Sequence, residues 1–183
     1  MSKRFSGLTD EHRAFIGRQR IFFAATAAPV GRVNVSPRGA DLFRVIDERT
    51  VAYLDKTGSG SETSAHLMAD GRMTIMFCAF EGAPNILRLY GRGSVAQRPS
   101  PAFEAALASL FGGTDVAGAR QVVRLEVELV QTSCGYGVPS FDFAGERPSL
   151  DNWSKAKGEE GLAAYRREKN AVSLDGLPTG FGG

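Results

Sequence analysis

Apolar and polar residues alternate along several segments of the chain, which is the pattern of a half-buried β-strand. The clearest example is residues 121–133, where Val123 and Leu125 fall on one face and Arg124 and Glu126 fall on the other. This alternation predicts a long strand with one buried face and one face in water. Further strands are predicted from apolar, β-branched and aromatic runs at 19–27, 32–36, 42–46, 50–54, 72–80 and 85–96.

Helical segments are short and lie between or beside the strands. Thr9 is the predicted N-cap of a helix that begins at Asp10, and Ser100 with Pro101 predicts the start of another that ends at Phe111. Two more helices are predicted at 61–69 and 159–169. Strands joined by short turns predict a mainly β (α+β) fold, an antiparallel barrel of six to seven strands with short flanking helices.

Proline and glycine mark interruptions of the strands. Pro37 is predicted to end the strand at 32–36, because proline has no N–H to donate to a neighbouring strand. Gly91 and Gly93 predict a bulge or a close backbone contact inside the strand at 85–96. The segment 91–96 also fits the pattern GxGxxA, but it does not join a strand to a helix, so no dinucleotide site is predicted.

Composition narrows the classes of function. The 183 residues are 43% hydrophobic, which suits one domain with a core and an appendage. A net charge of +2, spread along the chain, argues against nucleic-acid binding. We expect no membrane span and no signal peptide, because no run of about 20 apolar residues occurs and the first residues are polar. Together with just two cysteines, Cys78 and Cys134, these features favour a cytoplasmic protein.

The segment with the clearest chemical character is the loop that follows the strand at 50–54. It combines Lys56 with glycines and hydroxyl side chains, and it leads into the predicted helix at 61–69. Glycines allow an anion to approach the backbone, and the free N–H groups at a helix start can donate to phosphate. The alternative is an ordinary polar turn in which Ser61 caps the helix. The side chains predicted to donate to a phosphate are Lys56, Thr57, Ser59, Ser61 and Thr63.

A second polar group precedes this loop in the chain. Arg32, Asn34 and Ser36 are two residues apart, so they share one face of the predicted strand, and Arg38 follows Pro37. One interpretation is that this face is simply exposed to water. The functional interpretation is that it lines a ligand groove beside the Lys56 loop, where arginine can donate two parallel hydrogen bonds to phosphate.

Metal and acid–base chemistry have little basis in the sequence. Glu62 and His66 lie four residues apart on the predicted helix, but a metal site needs a further ligand, and His12 is the other histidine of the chain. We therefore predict no metal site and place His66 on the helix surface. No residue stands out as an acid, base or nucleophile, so no catalytic residue is assigned.

Taken together, these segments resemble the pyridoxamine 5′-phosphate oxidase-related family of FMN-binding split barrels. The resemblance covers about residues 12–133, and the order of the strands carries it as much as any motif. The matching segments are 32–39 (RVNVSPRG), 51–60 (VAYLDKTGSG), 65–67 (AHL), 71–77 (GRMTIMF) and 87–93 (LRLYGRG). It implies an FMN-binding split-barrel domain with an N-terminal helix over residues 1–133. Residues 134–183 would then be an extension packed on the barrel or on a dimer interface.

The resemblance also implies a function. It implies a homodimer with FMN at the subunit interface, a small-molecule redox partner, and an oxidoreductase whose substrate the sequence does not reveal. The backbone of the 32–38 strand would run along the flavin, and the loop after Leu54 would hold the phosphate. The cofactor-binding residues expected on this basis are Arg32, Val33, Asn34, Val35, Ser36, Arg38, Asp55, Lys56, Thr57, Gly58, Ser59, Ser61, Thr63 and Arg88.

One position departs from the family pattern. Members that act as oxidases usually carry an Arg-Lys pair at the start of the short helix, where this chain has Glu62 and Thr63. The alternatives are a non-catalytic barrel that holds a deazaflavin or haem, with His12 or His66 as the haem ligand, or a vitamin-salvage oxidase. Trp153, in the extension, is expected either to cover the flavin or to anchor the extension on the barrel.

Overall fold

The computed structural model describes residues 2–113 and 116–182. Within these residues one antiparallel sheet curls into a split barrel. Its strands are β1 (Lys3–Phe5), β2 (Ile21–Thr26), β3 (Asn34–Gly39), β4 (Phe43–Val45), β5 (Thr50–Lys56), β6 (Arg72–Cys78), β7 (Ile86–Gln97) and β8 (Ala119–Ser133). The helices are α1 (Asp10–Ile16), α2 (Glu62–Ala69), α3 (Pro101–Phe111) and α4 (Ser149–Lys169), with a 3-10 turn at Ala40–Leu42.

The strand order is β3-β2-β6-β7-β8-β5-β4, and β1 pairs with the end of β8. Every neighbouring pair in this order is antiparallel. The predicted fold class, an α+β antiparallel split barrel, is confirmed. The short strand β1 has no alternating pattern of its own and was not predicted. The order leaves β3 at one edge of the sheet, next to β2 alone.

The barrel interior is filled by aromatic side chains. Phe22 lies 5.0 Å from Phe43 and 5.1 Å from Tyr53 between ring centroids, and Phe43 lies 5.1 Å from Phe77. All four residues are buried. Edge-to-face pairs of this kind add about 0.5–1.5 kcal/mol each beyond the area they bury. Because these residues come from β2, β4, β5 and β6, the cluster fixes the end of β5, which leads into the candidate site.

The predicted end of the third strand is wrong. β3 continues through Pro37 to Gly39, and Pro37 lies opposite Phe23 of β2. Proline is tolerated because β3 is an edge strand, so its outer side needs no N–H donor. The extension of β3 places Arg38 within the sheet rather than beyond it.

The predicted bulge in the seventh strand is confirmed. The register between β7 and β8 shifts between Tyr90 and Gly91. A Cβ at Gly91 would stand 1.9 Å from the carbonyl oxygen of Glu126. No side chain fits at that distance, so glycine is required for β8 to approach β7 here.

The last helix begins earlier than predicted. α4 runs from Ser149 rather than 159, and its backbone is broken at Gly158, which has φ 65°. The predicted helix corresponds to the part after this break. Among the described residues, no helix is both long and apolar enough to cross a lipid bilayer.

Candidate cofactor site

Strand β5 leads into the loop 57–61, and this loop borders a cavity of about 280 Å³ beside β3. The positions of Gly58 and Gly60 are open, since a Cβ at either would have no atom within 4 Å. Members of both predicted polar groups line this cavity, from β3 on one side and from the loop on the other. The lining residues of this anion cavity, as we call it, are Asn34, Ser36, Pro37, Arg38, Lys56, Gly58, Ser59, Gly60, Ser61, Glu62, Thr63, Arg120 and Leu150.

A buried ionic network forms the floor behind the cavity. Asp55 is fully buried and accepts hydrogen bonds from Arg38, from Nε of Arg120 (2.9 Å) and from Nε2 of Gln121 (2.7 Å). Burial alone would raise the pKa of Asp55, but the Arg120 and Arg38 guanidinium groups and the Gln121 hydrogen bond lower it below its ordinary value. The carboxylate is therefore ionised, and it orients two cations rather than facing the cavity itself.

Arg38 is held from two sides. Besides its ion pair with Asp55, its guanidinium carbon lies 5.2 Å from the centroid of the Tyr53 ring. Burial opposes the charge of Arg38, but Asp55 outweighs this and raises the pKa of the guanidinium above its ordinary value. Burial raises the pKa of Tyr53 to about 12, so its hydroxyl stays neutral. The side chain of Arg38 remains 20% exposed, at the cavity.

Lys56 is the second positively charged residue, after Arg38, that was predicted from the sequence and lines the cavity. Its Nζ lies 2.6 Å from Oδ1 of Asp151, in the first turn of α4. Leu150, the residue before Asp151, lines the same cavity. The first turn of α4 therefore forms one wall. The sequence pattern gave no indication of this wall, because the helix was predicted to start ten residues later.

Two of the predicted donors, Ser61 and Thr57, already form hydrogen bonds that involve the tail, as we call residues 134–182. Oγ of Ser61 donates to the carbonyl oxygen of Asn170 at 2.9 Å rather than capping α2. Oγ1 of Thr57 donates to the carbonyl oxygen of Gly118 at 3.0 Å and accepts from Arg166 at 3.2 Å. Both hydroxyl groups are buried in these contacts, so the tail fixes the shape of the loop.

A chain of side-chain hydrogen bonds links β3 to α2. Oγ of Ser36 donates to Asn34, whose Nδ2 donates to Thr63 (3.2 Å) and to Thr26 (3.1 Å). The Thr26 hydroxyl in turn contacts Nδ1 of His66 at 3.1 Å. His66 is 1% exposed, so its predicted place on the helix surface is wrong. The reason is that α2 packs against β2 and β7, which buries most of its first two turns.

Glu62, which lines the cavity, and Arg32, which does not, both contact the distal part of the tail. Both carboxylate oxygens of Glu62 accept from the backbone N–H of Leu174, at 3.0 and 3.1 Å. Arg32 precedes β3 and forms an ion pair with Asp175. The Glu62 carboxylate is thus satisfied by a backbone donor of the tail, which explains how a carboxylate can stand at the start of α2 beside the anion cavity.

The structure does not bring all predicted residues to the cavity. Val33 and Val35 are 71% and 60% exposed. Arg88 lies on β7, where its guanidinium donates to Oγ of Ser133 at 3.1 Å. Arg32, Val33, Val35, Asp55, Thr57 and Arg88 are absent from the cavity lining, and their contact with a cofactor stays a prediction.

Arg120 is the main residue that sequence reasoning missed. It opens β8, and its guanidinium donates to Asp55, to the carbonyl oxygen of Gly60 (2.7 Å) and to Oδ1 of Asn170 (3.0 Å). A charged residue at the start of an apolar strand was the available signal. Its partner could not be read from the chain, because the pairing of β5 with β8 joins segments more than 60 residues apart.

Trp153 lies within α4 and contacts that helix itself. Its ring centroid is 5.1 Å from that of Tyr165, at an edge-to-face angle, and Nζ of Lys157 lies over both rings. These contacts span the break at Gly158. Trp153 therefore ties the two parts of α4 together.

Comparison with known proteins decides the family. The sequence model of the family described as pyridoxamine 5′-phosphate oxidase matches residues 8–134. A curated protein of Aspergillus flavus, the pyridoxamine 5′-phosphate oxidase family protein ustO, is 38% identical over 190 aligned positions, which cover 95% of this chain and 76% of that protein. The chain belongs to the pyridoxamine 5′-phosphate oxidase family. The similarity to the ustO protein includes the tail, whereas the family match ends at residue 134; the division into 1–133 and 134–183 stays a prediction.

Solved structures share the fold. HupZ of Group A Streptococcus has a TM-score of 0.53 at 24% identity, over 67% of this chain and 91% of HupZ. A pyridoxamine 5′-phosphate oxidase-related, FMN-binding protein of Nostoc punctiforme has a TM-score of 0.50 at 14% identity, over 67% of this chain and 82% of that protein. HutZ, the haem storage protein of Vibrio cholerae, scores 0.46 at 20% identity, over 67% and 92%. One protein that shares this fold is therefore described as FMN-binding.

Proposed function

We propose that this family member is an FMN-dependent oxidoreductase and that the anion cavity holds the FMN phosphate. The observation that carries the proposal is the convergence of Arg38, Lys56 and Arg120 on one cavity bounded by a glycine-rich loop. Three cations around an open loop favour a small dianion, because charge-assisted hydrogen bonds to phosphate are about twice as strong as neutral ones.

The donors at the cavity fit a phosphate group. Nε of Arg38 is buried and makes no hydrogen bond with the described residues, so one of its N–H groups is left for a ligand. The open positions of Gly58 and Gly60 let the backbone of the loop approach an oxygen atom closely. Ser59 adds a hydroxyl at the same rim. A ligand that accepts several hydrogen bonds satisfies this set.

The contact between Lys56 and Asp151 does not prevent binding. The Asp151 side chain is 48% exposed, and an ion pair facing water contributes about 0–1 kcal/mol. A phosphate dianion offers Lys56 a stronger partner than a solvated carboxylate. We expect Lys56 to turn toward the phosphate when FMN binds, and Asp151 to return to water.

The face of β3 suits the flavin ring and a second subunit. Val35, on the edge strand β3, and Val33, just before that strand, expose apolar side chains to water. An exposed apolar edge strand is the kind of surface that associates. We propose a homodimer in which this edge is covered and the ring of FMN lies along β3 at the interface.

Bound FMN would supply the two-electron redox chemistry. The protein would supply position and charge: Arg38 and Lys56 would hold the phosphate, while Asp55 and Arg120 would keep Arg38 and the loop in place. The redox partner would be a small molecule that reaches the exposed side of the ring.

The two histidines of this chain lend the haem alternative less support than the cations of the anion cavity lend FMN, because both histidines are buried. His12 is 6% exposed, with Nδ1 accepting from the backbone of Thr9, and His66 is 1% exposed and contacts Thr26. No contact of either residue favours the haem alternative.

The test compares FMN with riboflavin, which lacks the phosphate. Lys56→Ala removes one charge-assisted hydrogen bond, worth about 1.5–3 kcal/mol, so the Kd for FMN should rise about 10- to 150-fold. The Kd for riboflavin should change less than about twofold. Lys155→Ala, at an exposed position of α4, is the matched control and should bind both ligands as the parent protein does.

Fluorescence quenching of the flavin gives both constants. Equal losses for FMN and riboflavin would show that Lys56 does not meet the phosphate. Absence of flavin binding by the unmodified protein would overturn the cofactor proposal itself. Light scattering of the protein, with and without FMN, tests the dimer separately.

A further inference from the structure

The tail builds a second cavity that the proposed function does not use. Residues 140–147, which we call the strap, cross the start of β2 and the segment after β6. The backbone N–H of Phe141 donates to the carbonyl oxygen of Phe80 at 2.9 Å, and that of Phe143 donates to Glu81 at 3.3 Å. Between the strap and residues 18–21 lies a cavity of about 480 Å³, which we call the strap pocket. Small-molecule sites are typically about 300–1,000 Å³.

Aromatic rings line the strap pocket. The Phe80 and Phe141 centroids are 5.6 Å apart, and Phe143 adds a third ring. Phe141 and Phe143, two residues apart in the strap, are 60% and 44% exposed. Apolar rings held together and left facing a cavity mark a place where an apolar group of a ligand gains by leaving water.

Charges of both signs surround these rings. Three arginines and three carboxylates line the strap pocket: Arg18, Arg20, Arg147, Glu81, Asp142 and Glu146. Among the described residues, none of these arginines forms an ion pair, and Arg20 instead lies 5.1 Å from the centroid of the Phe143 ring. A ligand with a single charge would be attracted by one set and repelled by the other, whereas a ligand that carries both charges can pair with both sets.

We propose that the strap pocket binds an aromatic zwitterion, a molecule that carries an aromatic ring together with an ammonium and a carboxylate group. An aromatic amino acid and a short aromatic peptide both have this chemistry. The rings of the strap would stack with the ligand ring. The guanidinium groups would bind its carboxylate, and Asp142 or Glu146 would accept from its ammonium group.

The strap pocket continues toward the anion cavity. It shares Gly39, Glu146 and Arg147 with a middle cavity of about 280 Å³. The middle cavity shares Arg38 and Lys56 with the anion cavity. A ligand of the strap pocket would therefore lie in the same groove as the cofactor, as a substrate would. This connection rests on the proposed function, whereas binding to the strap pocket does not.

The binding test uses the full chain without flavin and isothermal titration calorimetry. The probe is L-phenylalanyl-L-phenylalanine, and the comparison ligand is the same dipeptide with an acetylated N-terminus and an amidated C-terminus. The free dipeptide should bind about tenfold more tightly than the capped one, because the capped form keeps the rings and loses both charges. L-phenylalanine alone distinguishes an amino-acid site, where it would bind as well as the dipeptide, from a peptide site.

Variants locate the binding. Phe143→Ala should weaken the dipeptide about tenfold, while Tyr136→Ala, in the same tail, 82% exposed and outside the strap pocket, should not. Because Phe143→Ala could also move the strap, Arg147→Gln provides a second check. It should weaken the free dipeptide and leave the capped one unchanged, which a general displacement of the strap would not do.

The outcomes separate this proposal from the cofactor proposal. No binding of the free dipeptide, or equal binding of the free and capped forms, would overturn the zwitterion site. Binding of the free dipeptide by the flavin-free protein that weakens about tenfold in Phe143→Ala supports it even if FMN does not bind. In FMN-loaded protein, a change of the flavin absorption spectrum on dipeptide addition would support the shared groove, and an unchanged spectrum would overturn that connection.

Discussion

Replacing Arg120 by methionine tests whether the buried network holds the cofactor loop. Arg120 is 2% exposed and donates to Asp55, to the carbonyl oxygen of Gly60 and to Asn170. Its guanidinium also lies 5.5 Å from the centroid of Phe181. Methionine keeps much of the aliphatic volume and removes the charge and the three hydrogen bonds. The loop, β5 and the tail would lose their common partner at once.

The expected loss of stability follows from the polar groups that lose Arg120 as their partner. Removing one partner of a buried ion pair typically costs about 3–5 kcal/mol. Because Asp55 keeps Arg38 and Gln121 as partners, we expect the loss of its ion pair with Arg120 to cost about 3 kcal/mol, the lower end of this range. The freed acceptors on Gly60 and Asn170 add about 1 kcal/mol or more together. We expect a total loss of about 4 kcal/mol, a large part of the roughly 5–15 kcal/mol by which domains are stable.

Urea unfolding measures this loss. Circular dichroism follows the sheet, and the fluorescence of Trp153, the single tryptophan, follows α4. With a slope of about 1–3 kcal/mol per molar urea, a loss of about 4 kcal/mol lowers the midpoint by roughly 1.3–4 M. Arg124→Met, at an exposed position of the same strand, is the matched control and should change the free energy of unfolding by less than about 0.5 kcal/mol. Equal midpoints for Arg120→Met and Arg124→Met would refute the reasoning.

Two further predictions concern pH and the bulge. The pKa of Asp55 is lowered in the folded protein, so its contribution to stability is present above its ordinary value of 3.8 and is lost as pH falls through the lower folded value. The gap in urea midpoint between the parent protein and Asp55→Asn should therefore be constant down to about pH 4 and narrow below it; a gap that narrows between pH 7 and 5 would contradict this assignment. Gly91→Ala puts a Cβ 1.9 Å from the Glu126 carbonyl oxygen and should lower the free energy of unfolding by about 1–3 kcal/mol or more in the same assay. Gly137→Ala is the control and should change it little, because a Cβ there meets no atom within 4 Å.

The barrel could be predicted because each of its long strands has a recognisable hydrophobic pattern within its own segment of the chain. Val123, Leu125 and Val127 alternate with charged residues. This alternation identifies the face of β8 that is buried in the core. The cavity residues Lys56 and Arg38 could also be predicted from local sequence, because each belongs to a short polar segment beside a predicted strand. Pro37 misled the boundary because the rule for proline depends on whether a strand lies at an edge, and strand order is not visible in a single segment.

The contacts of the tail could not be predicted. Asn170 contacts the loop through its side chain and through its carbonyl oxygen, across more than 100 residues of sequence. Single polar contacts of this kind leave no periodic pattern. The same holds for Asp151 beside Lys56 and for Arg120 beside Asp55, where the partners are fixed by the folded sheet and not by spacing along the chain.

The contact of the loop with the tail also sets an order of events during synthesis. The hydroxyl groups of Ser61 and Ser64 find their acceptors on residues 170 and 179, which follow them by 109 and 115 positions. At about 5–20 residues per second, a ribosome needs roughly 5–23 s to make that stretch. The barrel strands up to β6 would thus emerge well before the loop acquires its final hydrogen bonds. A chain released early would carry Lys56 and the glycines of the loop and still lack the residues that hold the loop in shape.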